Sequence, residues 1–141
     1  MNNIPTILVV EDNLADQFVL KELLLRYDYD AKFVRTGEEA VIAAGVTNFV
    51  GIILDLTLGG MDGFECIKHF RRLDKERGRH TPVIAVTARA DVEDREACLK
   101  AGMDAYLSKP YEPEELRKIL LRHIYVENSP NLKLLDNGST R

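Results

Sequence analysis

A parallel β-sheet covered by helices on both faces is the fold class this sequence predicts, and three features predict it. First, the apolar runs Ile7-Leu8-Val9-Val10, Ile52-Ile53-Leu54, Val83-Ile84-Ala85-Val86 and Ala105-Tyr106-Leu107 show no alternation. Runs of that kind suit strands buried on both faces. Second, helix-length segments separate the strand-like ones, giving five βα units. Right-handed crossovers then place helices on both sides of the sheet. Third, each of these runs ends in polar residues: Glu11-Asp12, Asp55, Thr87 and Ser108-Lys109-Pro110. Ligands of such sheets bind beyond the carboxyl ends of the strands.

The first strand is expected over residues 6–10 and the first helix over 13–27, with Asp12 or Asn13 as its N-cap. The apolar residues of that helix cover most of its circumference, so its length and its lack of Gly and Pro carry the assignment. A short second strand follows at 31–34. Thr36 and Glu39 have the spacing of a capping box and open a helix through about Ala44. The third strand is placed at 50–54. Asp62 caps a third helix, in which Cys66, Ile67, Phe70 and Leu73 recur at helical spacing, and Lys75-Glu76-Arg77-Gly78-Arg79 is expected to be a loop. Pro82 opens the fourth strand, where a missing N–H is tolerated. A fourth helix over about 91–101 stops at Gly102, and a fifth strand occupies 105–107. The last helix starts near Pro113 and carries Leu116, Ile119, Leu120 and Ile124 on one stripe. One globular domain over residues 1–126 is expected. Residues 127–141 are a polar tail or linker with Leu132, Leu134 and Leu135 as its only anchor.

The net charge of −4 and pI near 5.4 weigh against a nucleic-acid-binding surface. No apolar run is long enough for a membrane span, and the N-terminus has no signal pattern. Cys66 and Cys98 have no metal-site spacing and are expected to be ordinary thiols in a reducing, cytoplasmic compartment. Of the histidines, His80 is expected to be solvated and His123 partly buried near the last helix's stripe, and neither they nor His69 is proposed as a general base.

The chemistry gathers at one sheet edge. Glu11 and Asp12 are adjacent carboxylates that repel each other and call for a cation. Asp55 adds a third, and an oxygen-only set of this kind suits Mg²⁺. Alone, Glu11-Asp12 would pass for acids favoured at a helix N-terminus. Alone, Asp55 would pass for a turn residue and Lys109 for a solvated lysine. Their convergence with Thr87 favours acceptance of a phosphoryl group on Asp55. A carboxylate attacking phosphorus needs the incoming charge neutralised. Lys109 supplies a point charge, and Thr87 donates a hydrogen bond to a phosphoryl oxygen. Lys109-Pro110, after a buried strand, also suits a tight turn with a cis peptide.

The chain resembles the receiver domains of two-component response regulators. The resemblance rests on Ile7-Leu8-Val9-Val10-Glu11-Asp12-Asn13, on Asp55 with Met61-Asp62-Gly63, on Thr87-Ala88, and on Ala101-Gly102-Met103-Asp104-Ala105-Tyr106-Leu107-Ser108-Lys109-Pro110, across about residues 5–125. Glu11-Asp12-Asn13 and Asp94-Arg95-Glu96-Ala97-Cys98-Leu99 are similar to the receivers of hybrid sensor kinases. The resemblance implies a flavodoxin-like, doubly wound sheet of order 2-1-3-4-5. It implies Asp55 as phosphoacceptor and Asp12 as direct Mg²⁺ ligand, with Glu11 acting through metal-bound water and the Thr57 main-chain carbonyl as a further ligand. Thr87 and Lys109 hold the phosphoryl oxygens, and Tyr106 is the aromatic that turns inward when Thr87 is drawn to the phosphate. Thr57 and Arg89 tune the lifetime of the phosphorylated state. The implied partner is a histidine kinase or a histidine-phosphotransfer domain, with no nucleic acid and no membrane. The protein is then a monomer or weak dimer, a switch with slow self-dephosphorylation rather than an enzyme, and either a single-domain regulator or the receiver of a hybrid kinase. The family often has Met-Pro where this chain has Leu58-Gly59, and Gly59-Gly60 is expected to loosen that loop.

Two other classes compete. A haloacid-dehalogenase-type phosphohydrolase also uses a strand-end Asp, Mg²⁺, a Thr and a Lys, and Asp55-Leu56-Thr57-Leu58-Gly59 is similar to the Asp-x-Thr-Gly motif of ion-pumping ATPases. That class usually carries its nucleophile on the first strand and needs more chain for a substrate cap. A flavodoxin-like FMN protein needs a phosphate-cradling loop after strand one, where Glu11-Asp12 would repel a phosphate.

Overall fold

Residues 4–57, 61–88 and 92–124 are described by the computed structural model. In chain order the elements are β1 (Thr6–Val10), α1 (Leu14–Arg26), β2 (Asp30–Val34), α2 (Gly37–Val46), β3 (Gly51–Asp55), α3 (Gly63–Arg77), β4 (Val83–Thr87), α4 (Val92–Ala101), β5 (Ala105–Ser108) and α5 (Pro113–His123). The strands pair in parallel in the order β2-β1-β3-β4-β5, as expected.

Successive strand residues point to opposite faces, so each strand feeds two cores. Leu8, Val10, Ile52, Leu54, Val83 and Ala85 pack with Ala40, Ala44, Cys66, Ile67, Phe70 and Cys98, which places α2, α3 and α4 on one face. Ile7, Val9, Ile53, Ile84 and Val86 pack with Leu20, Leu23, Leu24, Leu116 and Leu120, which places α1 and α5 on the other. Burying each Val, Leu, Ile or Phe among them is worth about 1.5–3 kcal/mol. β3 and β4 are buried throughout, whereas the edge strand β2 alternates.

Helix starts follow local chemistry. Asn13 accepts from the Asp16 amide, Thr36 and Glu39 form the expected capping box, and Asp62 accepts from the Glu65 amide. One expectation is corrected. Lys75-Glu76-Arg77 is not loop but the last turn of α3, and the chain leaves the helix at Gly78, whose φ of 67° lies in the left-handed region. Cations in a last turn favour the helix dipole, and glycine takes that φ without Cβ strain. His80 is 58% exposed, as expected, and its ring meets Asp104 at 2.7 Å. Smaller shifts lengthen α2 to Val46 and β5 to Ser108, and bring Asp55 itself into β3. The 127–141 tail and the Gly59-Gly60 loop fall outside the described residues.

Candidate functional site

The parallel order brings the ends of β1, β3, β4 and β5 side by side, and Glu11, Asp12, Asp55, Thr57 and Lys109 meet there. Asp55 closes β3 and is 3% exposed. Its Oδ1 accepts from the Thr57 amide at 2.8 Å and the Thr57 hydroxyl at 2.7 Å. Its Oδ2 accepts from Lys109 Nζ at 3.0 Å. Glu11, 2% exposed, accepts from Lys109 Nζ through Oε1 at 2.9 Å and from the Asn13 amide through Oε2 at 3.0 Å. Asp12 is exposed beside it, and the carbonyl of Asp12 accepts from Arg35 at 3.4 Å. Carboxylate oxygens of Glu11, Asp12 and Asp55 lie within 4.8 Å of one another.

Lys109 is held in place by its backbone, whose amide donates to the Thr87 carbonyl at 2.8 Å, just before the cis Lys109-Pro110 bond. Thr87 itself is fully buried at the end of β4, opposite Ser108 of β5. Tyr106 is half-buried against the α3/α4 core and lines a groove with Val92, Arg95 and Ile119. Arg89 lies outside the described residues.

Two contacts were not anticipated. Asp16, in the first turn of α1, gives Lys109 a third carboxylate at 2.8 Å. Gln17 donates to the Glu11 carbonyl at 2.6 Å. In the sequence, Asp16 is one more acid near a helix start, where acids are common for dipole reasons. Only the approach of the β5–α5 turn to α1 distinguishes it.

The electrostatics are unbalanced. Glu11, Asp16 and Asp55 surround the ammonium of Lys109, and Asp12 lies beside Glu11 and Asp55. Burial pushes the Glu11 carboxyl above its ordinary value, which the bonds from Lys109 and Asn13 only partly offset. Burial also pushes the Asp55 carboxyl up, but the two Thr57 bonds and Lys109 outweigh it and hold it below its ordinary value. Burial works against the charged ammonium of Lys109, yet Asp16, Glu11 and Asp55 raise its pKa above the usual lysine range. Asp55 is thus held in its ionised form, and the surplus of hard oxygen donors fits a small divalent cation better than an organic cofactor.

Comparison with known proteins agrees with this geometry. Residues 7–121 match the response regulator receiver domain family. The chain is 33% identical over 135 residues to Histidine kinase 2 of Arabidopsis thaliana, covering 82% of this chain and 12% of that protein. It is 36% identical over 118 residues to the signal transduction histidine-protein kinase BarA of Shigella flexneri, covering 84% of this chain and 13% of that protein. The chain therefore spans only about an eighth of the length of these relatives. Among solved structures, it is 39% identical, with a TM-score of 0.77, to the receiver domain of sensor histidine kinase PA1611 from Pseudomonas aeruginosa PAO1, which holds a magnesium ion in its active-site cleft. That match covers 86% of this chain and 98% of the other. It is 26% identical, TM-score 0.77, to a chain from the co-crystal structure of the Saccharomyces cerevisiae histidine phosphotransfer protein Ypd1 with the receiver domain of Ssk1, covering 91% of this chain and 98% of that one. With its five-stranded order, its acid-lined sheet edge and a family match across most of its length, this chain belongs to the response regulator receiver domain family.

Proposed function

We propose that this chain is a phosphorelay receiver that accepts a phosphoryl group from a phosphohistidine onto Asp55. The observation that carries the reading is the ionised Asp55 carboxylate, bonded to Lys109 and within 4.8 Å of carboxylate oxygens of Glu11 and Asp12. An Asp55 oxygen forms a new O–P bond as the donor's N–P bond breaks, and the departing imidazole nitrogen keeps the electron pair. Asp12, Asp55 and the Thr57 carbonyl would hold Mg²⁺, with Glu11 acting through its water. Bound Mg²⁺ supplies charge neutralisation for the phosphoryl oxygens.

The chain's own residues do the rest. Lys109 turns from carboxylate to phosphoryl oxygen, a charge-assisted bond. The Thr87 hydroxyl moves toward the same group, and Tyr106 fills the space vacated beneath α4, changing the α4–β5–α5 face. Thr57 and Arg89 set the lifetime of the acyl phosphate, which the chain loses slowly by self-hydrolysis. The donor is a histidine kinase or histidine-phosphotransfer domain. Docking beside α1 is supported by Leu14 and Phe18, each 66% exposed, and Val19, 49% exposed, next to Pro110. The net charge of −4 favours such a protein partner over nucleic acid, and the weak, transient contact leaves the chain a monomer or weak dimer. Among the described residues no helix is long and apolar enough to cross a membrane, and the buried cysteines Cys66 and Cys98 suit a cytoplasmic setting.

Treatment with acetyl phosphate or phosphoramidate and Mg²⁺ should add ~80 Da, the mass of one phosphoryl group, at Asp55. An acid-stable adduct on Asp55→Asn would refute the assignment. Rapid turnover of p-nitrophenyl phosphate would point instead to a phosphohydrolase.

A further inference from the structure

We infer that Asp16 is a positioning residue that tethers the Lys109 ammonium to α1 and slows phosphoryl transfer to Asp55. The role presupposes that Asp55 accepts the phosphoryl group, as proposed above.

A lysine ammonium has three N–H donors. Lys109 Nζ has three carboxylate partners: Asp16 Oδ2 at 2.8 Å, Glu11 Oε1 at 2.9 Å and Asp55 Oδ2 at 3.0 Å. No donor is left over for a phosphoryl oxygen, so one of the three bonds must be exchanged. The partners are not equivalent. The Glu11 and Asp55 side chains are 3% and 4% exposed, and a carboxylate stranded there loses its partner without gaining water. The Asp16 side chain is 43% exposed and can take up water as it lets go. Asp16 is therefore the exchangeable arm. Its backbone is fixed, because its amide donates to the Asn13 cap at 2.9 Å. When Lys109 leaves, the Asp16 carboxylate stays beside the cleft.

Both consequences oppose transfer. Asp16 competes with the phosphoryl oxygens for Lys109. Its charge, one ammonium away from Asp55, repels an incoming anion. Among the described residues the oxygen cluster is Glu11, Asp12 and Asp55 without Asp16, and the Asp16 carboxylate bonds Lys109, through which it acts.

The test compares Asp16→Asn, which keeps an acceptor and drops the charge, with Asp16→Ala, which drops both. In transfer from acetyl phosphate, the O–P bond to Asp55 forms as the acetyl O–P bond breaks and acetate leaves with the electron pair. At low salt, Asp16→Asn should raise the second-order rate with dianionic acetyl phosphate about threefold to tenfold, the range expected for one charge at this distance in a half-solvated site. The gain should be smaller with the less negative phosphoramidate and should shrink as salt is added. In metal-free protein, the Lys109 ammonium signal in ¹H–¹⁵N spectra should exchange faster with water in Asp16→Ala. If the wild type is phosphorylated at Asp55 and Asp16→Asn is no faster, the role is overturned. A gain indifferent to donor charge and salt overturns it too, as does an unchanged Lys109 signal in Asp16→Ala. A wild-type chain that gains no adduct at Asp55 refutes the receiver reading itself and takes this role with it.

Discussion

The two edges of the sheet carry polar clusters of similar composition and opposite character. At the amino-terminal edge, Arg71 bonds Asp74 and Asp104 at 2.7 and 2.8 Å and also donates to the carbonyls of Thr81 and Gly102. Asp74 accepts in addition from the Thr81 amide and hydroxyl, and Asp104 from the Val83 amide and His80. Each carboxylate has directional donors, and the fork of Arg71 ties α3 to the turns before β4 and β5. At the carboxyl edge, Glu11, Asp16 and Asp55 share one lysine, and Asp12 adds a fourth carboxylate beside Glu11 and Asp55. Saturated networks stabilise a fold, whereas surplus like charge costs stability and creates affinity for a cation. Residue type alone does not separate structure from chemistry here; the ratio of donors to charges does.

Deleting one acid from each edge should therefore have opposite effects. Asp12→Ala should weaken Mg²⁺ binding beyond the roughly 10–100-fold that loss of a supporting residue costs. NMR shifts of residues 11–13 and 55–57 on adding Mg²⁺ read this directly in a chain with no Trp. In metal-free urea denaturation the same variant should be as stable as the parent or more so. Asp74→Ala should instead cost about 3–5 kcal/mol in urea, because Arg71 and the Thr81 donors lose their partner, while phosphorylation of the remaining folded protein persists. Equal destabilisation by both variants would erase the distinction between the edges.

A smaller effect should follow from Thr57→Val, which removes the hydroxyl that donates to Asp55 at 2.7 Å. Phosphate release should change severalfold while the rate of phosphorylation changes less; identical release rates in parent and variant would exclude Thr57 from lifetime control.

The weakest effects are in the pH dependence of metal-free stability, where Glu11 and Asp55 should act with opposite sign. The folded pKa of Glu11 is raised, so its contribution is present below its ordinary value of 4.5 and is lost as pH rises through the folded value. The folded pKa of Asp55 is lowered, so its contribution is present above its ordinary value of 3.8 and is lost as pH falls through the folded value. Relative to Glu11→Gln, the parent should lose stability going up from pH 4.5. Relative to Asp55→Asn, it should lose stability going down from 3.8. The same slope from both variants would contradict the assignment of burial to Glu11 and of Thr57 and Lys109 to Asp55.

The sequence by itself determined the parallel sheet and the strand ends at which the candidate site residues stand. Unbroken apolar runs mark doubly buried strands, and each run's first polar residue marks the strand end, where Glu11, Asp12, Asp55, Thr87 and Lys109 stand. Local caps at Asn13, Thr36 and Asp62 were equally legible, because capping spans only three residues. Helix α3's last turn was not, since a charged, polar stretch looks the same in a loop as on a solvated helix face. The partners of the polar groups were decided by tertiary structure alone. Lys109 reaches Glu11 across 98 residues of chain and Asp16 across 93, and Arg71 reaches Asp104 across 33. No periodicity carries such pairings. They arise when the sheet order sets β1 beside β3 and folds the β5–α5 turn against α1, and that docking converts scattered charges into one satisfied network and one reactive surplus.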